Sequence, residues 1–148
     1  MKELSLKEKS MQINRCNPFV QLLGTEILEV EPGFSRMRLA VRPELMNPHG
    51  LVHGGALFGL ADNAAGCAAS TDGRTYVTQS GDIHFLRALS SGAVVAEAQT
   101  RHRGKSTVLV EVSLSGEDGK LLATASFTLF CVDGSEIERN SPAVASRS

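Results

Sequence analysis

The segment 53–70, HGGALFGLADNAAGCAAS, constrains this chain more than any other part of it. From about 54 to 70 it reads as one long helix that is apolar nearly all round. Ala56, Leu57, Phe58, Leu60, Ala61, Ala64, Ala65, Cys67 and Ala68 leave polar side chains only at Asp62 and Asn63. A helix without a polar face must be enclosed, by a curled sheet or by a second subunit. Its small residues, Gly59, Ala61, Ala65, Gly66 and Ala69, let another backbone or a ligand come close. A carboxylate in such a helix needs partners, because an unpaired buried charge is costly. Two readings of Asp62 follow: a structural carboxylate tied to a neighbouring element, or a group kept for chemistry.

The remaining sequence supplies material for the enclosure. Residues 3–15 carry charges among scattered apolar positions and predict a short amphipathic helix ending before Pro18. GTEILEVEPGFSRMRLAVRP (24–43) predicts two strands about a Pro32-Gly33 turn, with Met37, Leu39 and Val41 alternating against Arg36, Arg38 and Arg42. After the helix come four strand candidates, RTYVTQSGDIHFLRA, AVVAEAQTRH, STVLVEVSLSG and LLATASFTLFCV. In the third, Val108, Val110, Val112 and Leu114 share a face; in the fourth, Leu121, Ala123, Ala125, Phe127 and Leu129 do. The short polar joints RGKS and EDGK predict an antiparallel meander. The tail from 133 has little to bury and is expected to fray.

With 148 residues, 42% apolar and 21% charged, the chain is expected to be a single domain over 1–148. Its core spans about 17–132, with the first helix and the tail peripheral. A net charge of -1 argues against a general nucleic-acid surface. Cys16, Cys67 and Cys131 have no paired spacing, and reduced, buried thiols are expected. His49, His84 and His102 have no carboxylate or cysteine at ligand spacing, so no metal site is expected. The N-terminus has no signal-peptide pattern and no stretch reaches membrane-spanning length, which points to a cytoplasmic protein without a membrane partner.

The run NPHGLVHGGALFGLAD at 47–62, followed by the strand-rich half, resembles the hotdog-fold thioesterases of the PaaI-like, phenylacetate-degradation type. The resemblance covers roughly residues 17–132; one departure is Ala88, where a proline is common. It implies an α+β hotdog fold, a curved antiparallel sheet wrapped around one long central helix. It also implies dimers, commonly paired into homotetramers. By the same resemblance Asp62 is the catalytic carboxylate, and Gly54 supplies a backbone N–H that polarises the thioester carbonyl. Asn47 and His53 orient the carboxylate or the thioester, and Ser80 helps place the attacking water.

The chemistry also stands on its own terms. Thioester hydrolysis needs an activated water or a nucleophile, and donors aimed at the developing oxyanion. A helix N-terminus has unpaired N–H groups and the positive end of the dipole, and Gly54 and Gly55 leave room for a carbonyl there. Taken alone, His53-Gly54-Gly55 reads as a tight turn into a helix, with His53 capping or hydrogen-bonding locally; joined to Asn47 and Asp62 at this spacing it reads as a site. Gly54 and Asp62 lie eight residues apart, about 12 Å along one helix axis. That distance prevents both from acting on one carbonyl, so the spacing predicts a site shared between subunits. In RHRGK, Arg101, Arg103 and Lys105 form either a solvated turn or a clamp for coenzyme A phosphates.

The expected activity is acyl-CoA hydrolysis, with coenzyme A as part of the substrate and no other cofactor. The rivals are a non-catalytic acyl-CoA-binding protein and an enoyl-thioester hydratase or dehydratase. The latter needs a His–carboxylate pairing with a different signature.

Overall fold

Ser5 starts the first helix: its hydroxyl accepts the Glu8 N–H while the Glu8 carboxylate accepts the Ser5 N–H. That capping box opens α1 (Leu6–Arg15) in a computed structural model that describes residues 2–132. The expected fraying tail lies outside the described residues. A second helix, α2 (Pro18–Leu23), follows; hydrophobic periodicity does not reveal it, because six residues are too few to display a period. Its signals were punctuation: the Asn17 side chain caps Val20 N–H, Pro18 takes the first turn, and Gly24 closes it at φ 84°.

The strands are β1 (Glu26–Glu31), β2 (Phe34–Ala40), β3 (Thr75–Phe85), β4 (Ala93–Arg103), β5 (Thr107–Gly116) and β6 (Leu121–Val132). The Pro32-Gly33 turn joins the first two, with Gly33 at φ 73°. All pairs are antiparallel, and one sheet runs in the order β1-β2-β4-β5-β6-β3. The meander holds for β4-β5-β6 but not for β3, which pairs with β6 at the far edge. The tight turns at RGKS and EDGK force neighbours to pair. The link 86–92 is longer and crosses the end of the sheet, held where Leu86 and Arg87 donate to the Leu122 carbonyl and Val41 N–H donates to Gly92.

The central helix, α3 (Gly54–Ala69), touches all six strands, which wrap around it. Leu57, Leu60, Ala61, Ala64, Ala65, Ala68 and Ala69 are buried against Met37, Leu39, Val94, Ala96, Val110, Leu114, Phe127 and Leu129. Its alanines let the sheet approach closely enough for the buried Ser35 hydroxyl to donate to the Ala64 carbonyl at 2.7 Å. Ala123, Ala125, Phe127 and Leu129 share the inner face as expected, but Leu121 does not. The register slips between Leu114 and Ser115, so Leu122 is buried and Leu121 exposed. Cys67 and Cys131 are half-buried, whereas Cys16 is exposed, contrary to the buried thiols expected. Among the described residues no helix is long and apolar enough to cross a membrane.

Candidate active site

The loop before α3 is shaped by Asn47. Its Oδ1 accepts N–H groups of His49 (2.9 Å) and Leu51 (3.1 Å), and its own N–H donates to the Leu51 carbonyl at 2.7 Å. His53 caps α3: Nδ1 accepts the Gly55 N–H at 2.8 Å, which puts the proton of the neutral ring on Nε2. The His53 carbonyl takes the N–H groups of Ala56 and Leu57. Gly54 N–H is left without an acceptor among the described residues. A Cβ on Gly54 would stand 3.0 Å from the tip of the Phe85 ring, so this exposed ring lies close over the helix start and would have to give by a few tenths of an ångström to admit a side chain. Asn47, Gly54, Leu57, Phe85 and Arg87 line a cleft of about 340 Å³.

Asp62 opens into a different cleft of about 380 Å³, bounded by α1, α3 and the start of β3. The two clefts share no lining residue. Thr78 donates its hydroxyl to Asp62 Oδ1 at 2.6 Å. Asn63, beside Asp62, is satisfied within the chain by paired amide hydrogen bonds with Asn14 and by the Thr25 hydroxyl. It ties α1 to α3.

A bulge in β3 decides which hydroxyl meets Asp62. Thr78 pairs with the buried Leu129, but Ser80 pairs with Thr128, so one extra residue reverses the alternation. Tyr76 and Thr78 before the bulge face α3, as do Gly81, Ile83 and Phe85 after it. Ser80 stands on the outer face, exposed, and the structure does not bring it to Asp62 within one chain. Gly81 was the available signal, since glycine inside a strand marks bulges and close approaches.

A second bulge, between Thr100 and His102, parts the two arginines of RHRGK. Arg101 stays on the outer face and pairs with Glu111 at 2.9 Å. Arg103 turns inward, donating to the Ala69 carbonyl at the end of α3 (3.0 Å), to Asp72 (2.8 Å) and to the Tyr76 hydroxyl (2.9 Å). Arg74 joins this cluster, reaching Asp72 and the Lys105 carbonyl. Burial pushes the Asp72 carboxyl up. Hydrogen bonds from Tyr76 and Arg74, with the charge of Arg103, outweigh it and hold the carboxyl at about 2. The Tyr76 hydroxyl is pushed up by burial and by its bond to Asp72. No described carboxylate pairs with Lys105.

These elements are an antiparallel sheet around one helix, with a donor at the helix start and a carboxylate eight residues on. Residues 49–123 match the thioesterase superfamily. The chain belongs to the thioesterase superfamily. This member is 34% identical to the acyl-coenzyme A thioesterase PaaI of Escherichia coli over 102 residues, 68% of this chain and 73% of that one. It is 31% identical over 112 residues to the 1,4-dihydroxy-2-naphthoyl-CoA hydrolase of Listeria monocytogenes, covering 74% of this chain and 91% of the relative. The solved structure of the PaaI protein from the phenylacetic acid degradation operon of Escherichia coli overlays with a TM-score of 0.81 at 28% identity. The overlay covers 87% of this chain and 97% of that one. The chain is thus a PaaI-like hotdog protein and a thioester hydrolase.

Proposed function

We propose that this hydrolase cleaves acyl-CoA thioesters at a site completed by a second copy of the chain. The observation that carries this is the separation of its parts. Asp62 and Gly54 open into distinct clefts, with about 12 Å of helix axis between them. One carbonyl carbon within reach of both requires Asp62 from one copy and Gly54 from another. Among the described residues β3 is an edge strand whose free edge has no partner, and Val77 (42%) and Phe85 (54%) are exposed along it, one on each face. Tyr76–Thr78 border the Asp62 cleft and Phe85 borders the Gly54 cleft. Antiparallel pairing of β3 with its copy, about a twofold axis near Gly81, brings each cleft beside the other kind. Support for coenzyme A as the thiol comes from the two relatives, whose names give CoA thioesters as their substrates.

In this reading Gly54 N–H, at the positive end of α3, holds the carbonyl oxygen as negative charge develops there. In one route the Asp62 carboxylate takes a proton from a water that attacks the carbonyl carbon; the carbon–sulfur bond then breaks, and coenzyme A leaves as a thiolate that takes up that proton. In the other the carboxylate attacks the carbon itself, and the carbon–sulfur bond breaks to expel the thiolate and leave a mixed anhydride. Water then hydrolyses the anhydride, freeing Asp62 and the acid and giving its proton to the thiolate. Thr78 holds Oδ1 and leaves Oδ2 for the reaction. His53 and Asn47 keep the loop and helix start in shape for the donor. Of the three cations suggested for the phosphates, Lys105 has the charge least engaged. The scheme uses no metal and no redox cofactor.

The test is complementation between two inactive variants, read as release of free CoA. Asp62→Ala removes the carboxylate. Gly54→Pro removes the N–H at a first-turn position that accepts proline, after a His53 already extended at φ -64° and ψ 137°. Each variant alone should lose about a hundredfold or more. Refolded together in equal amounts, they should regain about a quarter of wild-type activity, because half the dimers carry one intact site. No recovery from folded, mixed dimers would refute the shared site, and full activity of Asp62→Ala would refute its catalytic role.

A further inference from the structure

We propose that Gly66 sets the size of the acyl group this hydrolase accepts, an inference that rests on the reading of Asp62 as the catalytic carboxylate. The interior of α3 contains two glycines, and they differ. Gly59 is explained by packing: a Cβ there would stand 3.1 Å from the Phe19 ring and 3.2 Å from Leu23. At Gly66 an added Cβ meets nothing within 4 Å. Glycine inside a helix is destabilising relative to alanine. No contact among the described residues therefore accounts for Gly66, and what it leaves is open room.

That room is part of the Asp62 cleft. Gly66 follows Asp62 by four residues, so both lie on one face of α3, about 6 Å apart along the axis. The opposite wall is α1, where Ser10, Ile13 and Asn14 face the cleft. This wall is held in place by the Asn14–Asn63 amide pair and by Cys67 Sγ against Ser10 Oγ at 3.3 Å.

Charge decides which end of the thioester enters. Among the described residues no lysine or arginine lines this cleft, and Asp62 is the one carboxylate that does, so the phosphates of coenzyme A are disfavoured there. The Gly54 cleft, by contrast, has Arg87 on its wall. The uncharged acyl group therefore runs from the carbonyl at Asp62 toward Gly66, bounded by Ile13, Val77 and Leu129. A side chain at Gly66 fills the cleft from its floor.

The experiment compares wild type, Gly66→Ala and Gly66→Leu on acetyl-, butyryl-, octanoyl- and phenylacetyl-CoA. The same proteins are titrated with non-hydrolysable thioether analogues of those esters, and their oligomeric state is followed by sedimentation. Gly66→Leu should lose about tenfold or more in kcat/KM on the bulky esters relative to acetyl-CoA, with Gly66→Ala between. Affinity for the bulky thioethers should fall in parallel, without change in oligomeric state. An unchanged preference among chain lengths overturns the proposal. So does dissociation of Gly66→Leu, which would assign the room to the second copy. If wild type binds the thioethers but hydrolyses nothing, the hydrolytic reading fails, while a size preference lost in Gly66→Leu still sustains the acyl pocket.

Discussion

Gly81→Ala is the sharpest test of how β3 is seated. A Cβ at this position would stand 2.6 Å and 2.7 Å from Cδ1 and Cε1 of Phe127, against about 3.5–4.0 Å for an ordinary carbon contact. The ring must therefore retreat by about 1 Å. It has nowhere to go: Phe127 is fully buried, and Phe58 stands edge-on to it with centroids 5.4 Å apart. Overpacking of this kind costs about 1–3 kcal/mol, and the lack of an escape route places Gly81→Ala in the upper half of that range. For a chain of this length that lowers the melting temperature by about 4–12 °C. Urea unfolding at fixed protein concentration should give a lower midpoint with an unchanged slope. Adding Phe127→Leu should relieve part of the overlap, so the double variant is less destabilised than the sum of the singles. Turnover should fall as well, since Gly81 lies between Thr78, which holds Asp62, and Phe85, which covers Gly54. Stability of Gly81→Ala within about 0.5 kcal/mol of wild type, or strict additivity with Phe127→Leu, would refute the steric argument.

Two further outcomes follow from named hydrogen bonds. Thr78→Val, which keeps the shape and removes the donor to Asp62, should lower kcat about tenfold or more while leaving KM near wild type; a rise in KM alone would make Thr78 a binding residue. Asp72 has its carboxyl lowered from 3.8 to about 2, so it stabilises the fold above pH 4 and that stability is lost as pH falls through about 2. Fully expressed this is about 2.4 kcal/mol, which solvent screening of an accessible carboxylate reduces to about 1 kcal/mol. Asp72→Asn should be less stable than wild type by that amount at neutral pH, with the gap closing between pH 4 and 2. A gap independent of pH would show that the hydrogen bonds, not the charge, matter.

The elements of this fold were legible because each is announced locally. The apolar helix with Asp62, the alternation of Val108, Val110, Val112 and Leu114, and the turns at Pro32-Gly33, RGKS and EDGK all survive in the structure. The spacing of Gly54 and Asp62 on one helix was equally legible, because helix rise is the same in every context. The neighbour of β3 was not, since alternation describes the two faces of a strand and says nothing of what lies along its edges. Three bulges shift the alternation in β3, β4 and β6. They put Thr78 beside Asp62 and Ser80 on the outer face of the same chain, separate Arg103 from Arg101, and exchange Leu121 for Leu122. A bulge is settled by pairing with a distant strand and by what must pack beneath it. The chemistry-bearing residues were therefore present in the text as types and spacings. Which of them share a cleft was decided by contacts between segments far apart in the chain, because hydrogen-bond register and close packing form only once those segments meet.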